Sequence, residues 1–496
     1  MELSTEVLVV GAGPVGCWLA AELCAAGIRT LVVEAREERA AWSRGFVVHP
    51  RTLEIFHSRG AAGPLLATGR RLPTWHFAMG STRLDFTALP TTFPFVMLYP
   101  QAQTEARLEE HLSERGGEVR RGWRAVGLEQ FDERAEVRVS ADGELRTVTA
   151  QFVVGCDGAH STVREAAGIG FPGNPDTMIS PAAHVTLADP PPPERYMQTS
   201  EQGLFFAIPL PDGRFVVSTV DHEVMGDITA PWTAETLRAS LIRVAGSDFG
   251  LRAVERISTI GNSAKQAERY RDGRVLLAGD AAHVHFPMGG QGMNLGIQDA
   301  HNLAWRLIAA VRAARKTAGA PVVYDLLDGY EAERRPAGER VLEDVRAQMA
   351  LVAATGADGA ALRDRFEALL SEHPQVNLQY ARRLSGIDVR YPMPSSSGGD
   401  GDGSADERLG RRVPDLEVQA AGTSVQLYDL LRSTTRPGDF ARVVVGDAAP
   451  AEHGHEAVTV AVEQVAGPEW ALAEGWGMPG TLLVRPDGHV AAITLA

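Results

Sequence analysis

The stretch from Val7 to Gly16 reads Val-Leu-Val-Val-Gly-Ala-Gly-Pro-Val-Gly, and it decides the fold of the first part of the chain. Its first four residues are typical of a buried strand, and a helical pattern follows from Pro14 to Gly27. A second strand is predicted from Thr30 to Glu34. This β-α-β order indicates a parallel, doubly wound sheet with a glycine-rich turn between its first strand and its first helix.

The glycines in this turn form the spacing of a dinucleotide fingerprint. The spacing alone is a weak signal, because 51 glycines in 496 residues would produce it by chance about 0.5 times. Glu34 strengthens it, since it ends the second strand 18 residues after Gly16, where a carboxylate can accept hydrogen bonds from a ribose diol. The helix N-terminus offers free N–H groups to phosphates. The predicted site comprises Gly11, Gly13, Pro14, Val15, Gly16, Glu34, Ala35 and Arg36.

Composition excludes several classes of protein. Lys and Arg number 48 against 63 Asp and Glu, a formal net charge of −15, which gives no general attraction for nucleic acid or an anionic membrane surface. No segment approaches the run of about 18 apolar residues that spans a bilayer. Three cysteines cannot build a disulfide framework or a cysteine-rich zinc site. We therefore expect a cytoplasmic protein that binds neither nucleic acid nor membrane.

Two more predicted strands end in an acidic residue. Residues 153–164 read Val-Val-Gly-Cys-Asp-Gly-Ala-His-Ser-Thr-Val-Arg, and residues 274–283 read Arg-Val-Leu-Leu-Ala-Gly-Asp-Ala-Ala-His. Taken locally, Asp157 begins a turn and Ser161 caps a helix. An acid at the carboxyl end of a strand, such as Asp280, can instead hold ribityl hydroxyls. The glycine-rich helix start that follows can stabilise negative charge on a reduced flavin ring.

The predicted secondary structure of the rest of the chain changes from strands to helices and, after a linker, back to strands. Strand-like runs at Gly203–Pro209 and Arg214–Val220 are joined by a Pro-Asp-Gly turn, which predicts an antiparallel sheet inserted between residues 172 and 263. Helical periodicity returns from Gln291 to about Leu384. Residues 395–407 are mostly Ser, Gly and Asp and predict a flexible linker. Beyond the linker, strands are predicted at Arg442–Val445, Ala457–Val462 and Thr481–Val484, and Pro486-Asp487-Gly488 predicts a hairpin turn.

The three motifs, in this order, resemble those of the FAD-dependent class A aromatic monooxygenases, which have the para-hydroxybenzoate hydroxylase fold. The likeness spans at least residues 5–345. Cys156–Arg164 matches the family pattern Cys-Asp-Gly-x-x-Ser-x-Val-Arg at every specified position, and Val275–Asp299 matches the Gly-Asp motif. The C-terminal segment is similar to the appendage of hydroxylases that act on aromatic polyketides and phenol. The resemblance implies an α/β fold with a Rossmann-like FAD domain, an inserted antiparallel β-sheet substrate domain and a thioredoxin-like C-terminal domain.

The resemblance also implies domain boundaries. We expect the FAD-binding domain at 1–75, 99–172 and 264–345, the substrate domain at 76–98 and 173–263, a helical connection at 346–394, the linker at 395–407 and the thioredoxin-like domain at 408–496. Met478-Pro479 stands where a thioredoxin fold often has its cis-proline. No cysteine lies beyond Cys156, so dithiol chemistry is excluded there. We expect a structural or oligomer-contacting role, which leaves a homodimer open.

Residue roles follow from the same resemblance. It assigns ribose binding to Glu34, a combined FAD and nicotinamide role to Asp157, and flavin ribityl or pyrophosphate contact to Asp280. Arg44 would touch the cofactor and Gln101 would lie along the flavin. The other implied cofactor positions are Gly279, Pro287, Gly290 and, facing the flavin pyrimidine edge, Gly292, Met293 and Asn294.

The implied enzyme is a monooxygenase that consumes NAD(P)H and O2 and hydroxylates a polycyclic aromatic, polyketide-type substrate. In this family NADPH or NADH reduces FAD, O2 adds at flavin C4a, and the hydroperoxide transfers one oxygen atom to an electron-rich ring. Baeyer–Villiger oxygen insertion on the same fold and a non-catalytic flavin- or drug-binding protein are the alternatives. A flavin-dependent halogenase is disfavoured, because no two tryptophans are separated by a single residue as that class requires.

Candidate substrate contacts are apolar. They come from the inserted sheet and from the loop of the Gly-Asp motif: Phe205, Phe206, Pro287, Met288 and Gly289. No catalytic acid or base is predicted, since Tyr196 and Tyr270 lie on no strand that can be placed over the flavin, and we expect no tyrosine relay. His283, His285 and His301 lack a carboxylate at metal-ligand spacing, so we predict no metal site.

Overall fold

The structure is a computed structural model, and it describes residues 3–43, 45–316, 324–393, 406–446, 448, 450 and 456–496. The helices within these ranges are α1 (Pro14–Ala25), α2 (Pro50–Ser58), α3 (Gly63–Thr68), α4 (Gln101–Ser113), α5 (Thr162–Ala166), α6 (Ala234–Ala245), α7 (Gly292–Lys316), α8 (Tyr324–Ala353), α9 (Gly356–Glu372), α10 (Pro374–Ser385), α11 (Leu427–Thr434) and α12 (Glu469–Ala473). The helices α7 to α10 confirm the predicted helical stretch.

The strands fall in three stretches of the chain. The first holds β1 (Leu3–Val10), β2 (Thr30–Glu34), β3 (Val47–Val48), β4 (Arg70–Leu72), β5 (Thr74–His76), β6 (Arg83–Asp85), β7 (Val96–Leu98), β8 (Val119–Arg121), β9 (Arg124–Gln130), β10 (Ala135–Ala141) and β11 (Glu144–Gly155). The second holds β12 (Gly173–Asn174), β13 (Ile179–Leu187), β14 (Met197–Ser200), β15 (Gly203–Pro209), β16 (Phe215–Asp221), β17 (Leu251–Gly261), β18 (Ala264–Gln266), β19 (Arg271–Asp272), β20 (Val275–Leu277) and β21 (His283–Val284). The third holds β22 (Glu417–Ala420), β23 (Thr423–Gln426), β24 (Phe440–Val445), β25 (Ala457–Val462), β26 (Gln464–Val465), β27 (Gly480–Val484) and β28 (Val490–Leu495).

The large sheet has the order β19-β20-β11-β1-β2-β8, with β10 and β9 continuing from β11. Its strands β20, β11, β1, β2 and β8 are parallel neighbours, and Val9 of β1 stands opposite Val154 on one side and Val32 on the other. All three valines are buried, and α1 packs against β1 and β2, as is usual for a parallel sheet covered by helices. The predicted parallel arrangement of the first domain is confirmed, and the carboxyl ends of these strands share one edge.

The inserted sheet has the order β14-β15-β16-β13-β17 and is antiparallel throughout. The chain leaves the large sheet at the end of β11 and returns to it at β19, so the strands of this second sheet lie between two strands of the first. Helix α6 packs on one face of this second sheet. The other face joins an apolar cluster that also contains Trp75, Phe86, Met288 and Met349.

The C-terminal sheet has the order β25-β24-β27-β28, in which β24 and β25 are parallel and the other pairs antiparallel. It has its own core, built around Val443, Trp476 and Val490. None of the described peptide bonds is cis, so Met478-Pro479 differs in this respect from the cis-proline that a thioredoxin fold often has at this place.

Two of the expected domain boundaries can be compared with the helices and with the described residues. Helix α8 runs without a break through the boundary expected after residue 345. The expected linker at 395–407 lies outside the described residues except at positions 406 and 407. Among the described helices, none combines the length and the apolar character that crossing a bilayer requires.

Candidate functional site

A cavity of about 500 Å³ lies at the carboxyl edge of the large sheet. The structure brings to it the following members of the predicted site: Gly11, Gly13, Pro14, Val15, Glu34, Ala35, Arg36, Gln101, Asp157, Asp280 and Met293. They come from the ends of β1, β2 and β11, from the turn after β20 and from the starts of α4 and α7. Ligands of open α/β sheets bind at this edge.

The glycine turn is shaped by steric needs that only glycine meets. Gly11 has φ +103°, and a Cβ atom there would lie 2.3 Å from the carbonyl oxygen of Cys156. A Cβ at Gly16 would lie 2.0 Å from the carbonyl oxygen of Gly11, so Gly16 serves close packing and does not itself line the cavity. Helix α1 starts with no side-chain cap and no acidic residue in its first turn. Its N–H groups and dipole are therefore suited to an anionic group in the cavity.

Glu34 is held at the end of β2 by the same turn. Its Oε2 accepts a hydrogen bond from Ala12 N at 2.9 Å, and its Oε1 accepts one from Arg36 N at 2.9 Å. A carboxylate has about four acceptor positions, so two remain for a ligand. The carbonyl oxygen of Glu34 accepts from Trp123 N, which places the segment after β8 beside it.

Ser161 is the N-cap of α5, as predicted, and Asp157 holds this helix start while lining the cavity. Its Oδ1 accepts from Ser161 Oγ at 2.5 Å and its Oδ2 from Val163 N at 3.2 Å. Burial raises the pKa of Asp157, and these hydrogen bonds only partly oppose the rise. Asp280 lies in a 3-10 turn, Gly279–Ala281, with its side chain exposed toward the cavity. The two acids thus border one cavity from neighbouring strands.

Gln101 connects the cavity to the loop that contains position 44. Its N–H donates to Gly45 O at 2.9 Å, and its Nε2 donates to Glu105 Oε1 at 2.9 Å. On the other side of the loop Ser43 Oγ accepts from Ala102 N. Arg44 itself lies outside the described residues. Burial raises the pKa of Glu105, which also lines the cavity.

Five other predicted cofactor residues do not line the cavity: Gly279, Pro287, Gly290, Gly292 and Asn294. Asn294 is buried, and its side chain is fully used within the protein. Its Oδ1 accepts from His49 N, and its Nδ2 donates to the carbonyl oxygens of Val47 and Gly290. The side chain of Asn294 therefore fastens the Gly-Asp loop to β3.

The predicted substrate residues Phe205 and Phe206 lie on opposite faces of the inserted sheet. Phe205 is fully buried in the core between the inserted sheet and α6, where its ring stacks on Phe249 at 5.0 Å. Phe206 points to the opposite face, with Leu204 and Met288, because successive strand residues alternate. Phe205 therefore contacts no space in which a substrate could lie. In the adjoining loop Met288 and Gly289 are buried, and Pro287 is exposed.

The tyrosines and histidines lie elsewhere. Tyr270 is fully buried and its OH accepts from Gln266, while Tyr196 packs on Phe215, and neither lines the cavity. Burial raises the pKa of Tyr270. His283 donates from Nε2 to Asp299 at 2.6 Å, and both side chains are inaccessible to solvent. That neither tyrosine serves as a relay stays a prediction.

Other cavity-lining residues were not predicted from the sequence: Val10, Val33, Glu105, Trp123, Arg124, Ala125, Cys156, Gly158, His160, Thr162 and Ala278. Residues 123–125 follow β8, which is parallel to β2. The rule that ligands meet the carboxyl ends of parallel strands would have found them if β8 had been recognised. Its three residues are too short a run to give a pattern.

Comparison with known proteins agrees with this architecture. A family model described as FAD binding domain matches residues 4–345, and one described as aromatic-ring hydroxylase, C-terminal, matches residues 406–494. The chain is 39% identical to an uncharacterized aromatic compound monooxygenase, YhjG, of Bacillus subtilis, covering 99% of this chain and 94% of the relative. It is 38% identical to the anhydrotetracycline monooxygenase of Streptomyces rimosus, covering 98% and 94%.

A solved structure extends the likeness to the whole fold. The anhydrotetracycline hydroxylase OxyS of Streptomyces rimosus superposes with a TM-score of 0.86 at 36% identity, covering 99% of this chain and 96% of that one. The matched residues include every strand that borders the cavity. The chain therefore belongs to the family of FAD-dependent aromatic-ring hydroxylases and is a flavin-dependent monooxygenase that uses NAD(P)H and O2.

Proposed function

We propose that this enzyme hydroxylates a polycyclic aromatic substrate of the polyketide type. The proposal rests on the position of the polar cavity beside a cluster of apolar side chains. The polar cavity borders the start of α7, and the loop before α7 delivers Met288 into an apolar cluster with Phe206 and Trp75. A relative from Streptomyces venezuelae, 37% identical over 98% of this chain, is named rifampicin monooxygenase, and others are named for tetracycline intermediates.

The residues of the cavity fit FAD. The uncapped start of α1 suits the pyrophosphate, and Glu34 has acceptor positions for the adenosine ribose. Asp280 would take ribityl hydroxyls, and Gln101 and Met293 would flank the ring system. When bound, FAD accepts a hydride from NAD(P)H and activates O2 for transfer to the substrate ring.

The apolar cluster would position the substrate and exclude water. Leu204, Phe206 and Val220 of the inserted sheet belong to this buried cluster together with Met288 and Trp75. A flat apolar ligand that parts these side chains would be shielded from water, which protects a reactive oxygen species from wasteful decay. Neither Tyr196 nor Tyr270 lines the cofactor cavity, which favours a substrate whose phenol ionises readily without a tyrosine relay, as that of a hydroxyquinone does.

We also infer that the C-terminal domain is thioredoxin-like. Its four strands run in the order second, first, third, fourth, and only the first pair is parallel. This order and these directions support the assignment. The sequence contains no cysteine in that domain, so its contribution is non-redox.

A second candidate function has support from relatives. One, 34% identical over 99% of this chain, is named dialkyldecalin synthase, and the structure of a Diels-Alderase, PyrE3, superposes with a TM-score of 0.82 at 31% identity. Members with this architecture therefore include proteins named for reactions other than oxygenation. Within monooxygenase chemistry Baeyer–Villiger insertion is the alternative to hydroxylation, and ring formation on a bound polycyclic ligand is a second candidate function beside oxygenation.

A substrate panel assayed under 18O2 with mass spectrometry separates these functions. Hydroxylation adds one 18O atom and leaves the ring skeleton intact, whereas Baeyer–Villiger insertion adds one 18O atom and yields a lactone or ester that base opens. Mere binding, or a ring-forming reaction, gives no 18O incorporation and slow NADPH consumption with every hydroxyquinone or phenol. The last result would contradict the proposed hydroxylation.

The cofactor assignment has its own test. The Asp280→Ala variant is expected to lose most of its FAD on gel filtration while its far-UV circular dichroism stays that of the wild type. Asp227→Ala is the matched control, because Asp227 lies in an exposed turn of the inserted domain and does not line the cavity. Equal FAD content in the two variants would contradict the role proposed for Asp280.

A further inference from the structure

A buried polar chain starts at the turn that presents Asp280 to the cavity. The N–H of Gly279 donates to Asp299 Oδ2 at 3.2 Å, and His283 donates to the same oxygen. The other oxygen, Oδ1, accepts from Arg334 Nε at 2.8 Å. Asp299 is inaccessible to solvent and lies on α7, so it joins the Gly279 turn to the middle of that helix.

Arg334 carries the chain out of this region. It is also inaccessible, and its Nη1 donates to the hydroxyl oxygen of Tyr391 at 3.0 Å. Tyr391 is attached to the segment that opens the C-terminal domain, because its N–H donates to Gly410 O. The Tyr391 ring lies 4.3 Å from that of His489 and 5.1 Å from the guanidinium of Arg485, centroid distances that indicate contact.

The hairpin turn between β27 and β28 packs against α7 and α8 and forms the last part of this chain of polar contacts. Arg485 donates to both oxygens of Glu333 on α8 at 2.7 and 2.8 Å, and to Asp487. Asp487 Oδ2 accepts from Asn302 and Trp305, which lie on α7 one and two turns beyond Asp299. The C-terminal domain thus contacts the helix that carries Asp299 at two levels.

These charges are poor candidates for a purely stabilising role. Burying an ion pair costs about as much in lost hydration as it returns in attraction, and an apolar replacement is often equally stable. What a fully bonded buried network does supply is a defined geometry. At one end this network fixes the position of the Gly279 turn. Gly279 has φ +64°, and a Cβ atom there would lie 2.9 Å from the side chain of Val15.

We propose that Asp299 and Arg334 are positioning residues through which the C-terminal domain, by way of Tyr391, holds the Asp280 turn in the geometry that binds FAD. The inference rests on the proposed cofactor site. On this proposal the C-terminal domain influences the affinity for FAD although none of its residues lines the cofactor cavity.

The test compares two buried tyrosines. Tyr391→Phe removes the hydroxyl that accepts from Arg334, and its matched control, Tyr428→Phe, removes a hydroxyl that donates to Val413 O wholly within the C-terminal domain. The measurements on the full chain are the Kd for FAD by fluorescence, the visible circular dichroism of the bound flavin, and urea unfolding of the flavin-free protein. Tyr391→Phe is expected to weaken FAD binding roughly fivefold, the factor that corresponds to one hydrogen bond, and to alter the flavin spectrum.

The control is expected to lower stability by a similar amount with the Kd and the spectrum unchanged. A Kd that follows stability equally in both variants, or that changes in neither, overturns the positioning role. Asp299→Asn, which keeps the shape and removes the charge, should weaken FAD binding more than Tyr391→Phe, and the reverse order would also count against the proposal. If the wild-type chain itself binds no FAD, the proposed cofactor site fails, and that result is distinct from equal behaviour of the two variants.

Discussion

Two hairpins of this protein are closed by the same tripeptide, Pro-Asp-Gly, at 211–213 in the inserted sheet and at 486–488 in the C-terminal sheet. Their backbones are alike. Leu210 N donates to Arg214 O as Arg485 N donates to His489 O, and the two glycines have φ +82° and +80°. In both turns the Asp Oδ1 accepts from the N–H two residues on, at 3.1 and 3.3 Å.

The surroundings of the two turns differ completely. Half of the Asp212 side chain is exposed, and it pairs with its neighbour Arg214, which is itself exposed. Asp487 is 2% exposed and is bonded to Arg485, Asn302 and Trp305. Turn geometry is therefore set locally, whereas the contribution of a turn to stability is set by the residues against which it packs.

The largest effect is expected from Asp487→Ala. It leaves Arg485 with one partner fewer in a buried site, removes the acceptor of Trp305 and removes one of the two acceptors of Asn302, which should cost about 4 kcal/mol of unfolding free energy. Urea denaturation of the wild type and the variant measures the loss. A change below about 1 kcal/mol would show that the docked turn is no more important than an exposed one.

The inserted hairpin should depend on its strands and not on its turn. Phe205→Ala opens a cavity in a closed core and is expected to cost about 3 kcal/mol. Phe206→Ala is expected to cost about 1 kcal/mol and to raise KM for an aromatic substrate, because Phe206 is only partly buried and faces the apolar cluster. The measurements are urea denaturation and steady-state kinetics, and a larger KM change for Phe205→Ala would contradict the assignment of faces.

The docked interface should respond to pH in two opposite directions. Arg485 and His489 outweigh the effect of burial and hold the pKa of Asp487 well below its ordinary value, so its contribution is present above about pH 4 and is lost only as pH falls through the lower folded pKa. The Asp415 carboxylate, whose Oδ2 lies 3.4 Å from His57 Nε2, raises the pKa of His57 and outweighs the opposing effect of burial. That contact therefore stabilises below about pH 6.5 and is lost as pH rises through the folded pKa.

His57→Gln is the variant that isolates the second response. The difference in unfolding free energy between wild type and His57→Gln should be greatest near pH 6 and should shrink toward pH 9. Asp487→Asn should show no such trend over that range. A wild-type advantage over His57→Gln that grows between pH 6 and pH 9 would contradict the raised pKa.

The smallest effect is expected from Asp212→Asn. The pair with Arg214 is exposed and screened by salt, and the amide can still accept from the Arg214 N–H. The unfolding midpoint should equal that of the wild type within experimental error, both at low salt and at about 0.5 M NaCl, a concentration at which salt screens the attraction between exposed charges. A loss comparable to that of Asp487→Ala would remove the contrast between the two hairpins.

Much of the cofactor cavity could be predicted because its motifs are local. The turn at Gly11, the carboxylate at Glu34 and the Asp157 turn are each written in a few consecutive residues, and parallel strands bring their carboxyl ends together. Asn294 was assigned to the same site, but its side chain is used to fasten the loop to β3. Residues 123–125 were missed because β8 is too short to show a pattern.

The sequence by itself determined the β-α-β unit, the glycine turns, the acids at the strand ends and both Pro-Asp-Gly hairpins, since each depends on neighbours a few residues away. Only the tertiary structure decided which face of β15 meets the apolar cluster, which hairpin is buried, and that Asp299, Arg334 and Tyr391 connect the C-terminal domain to the Asp280 turn. The physical reason is that burial, and with it the strength of a hydrogen bond or ion pair, arises from segments that are distant in the chain.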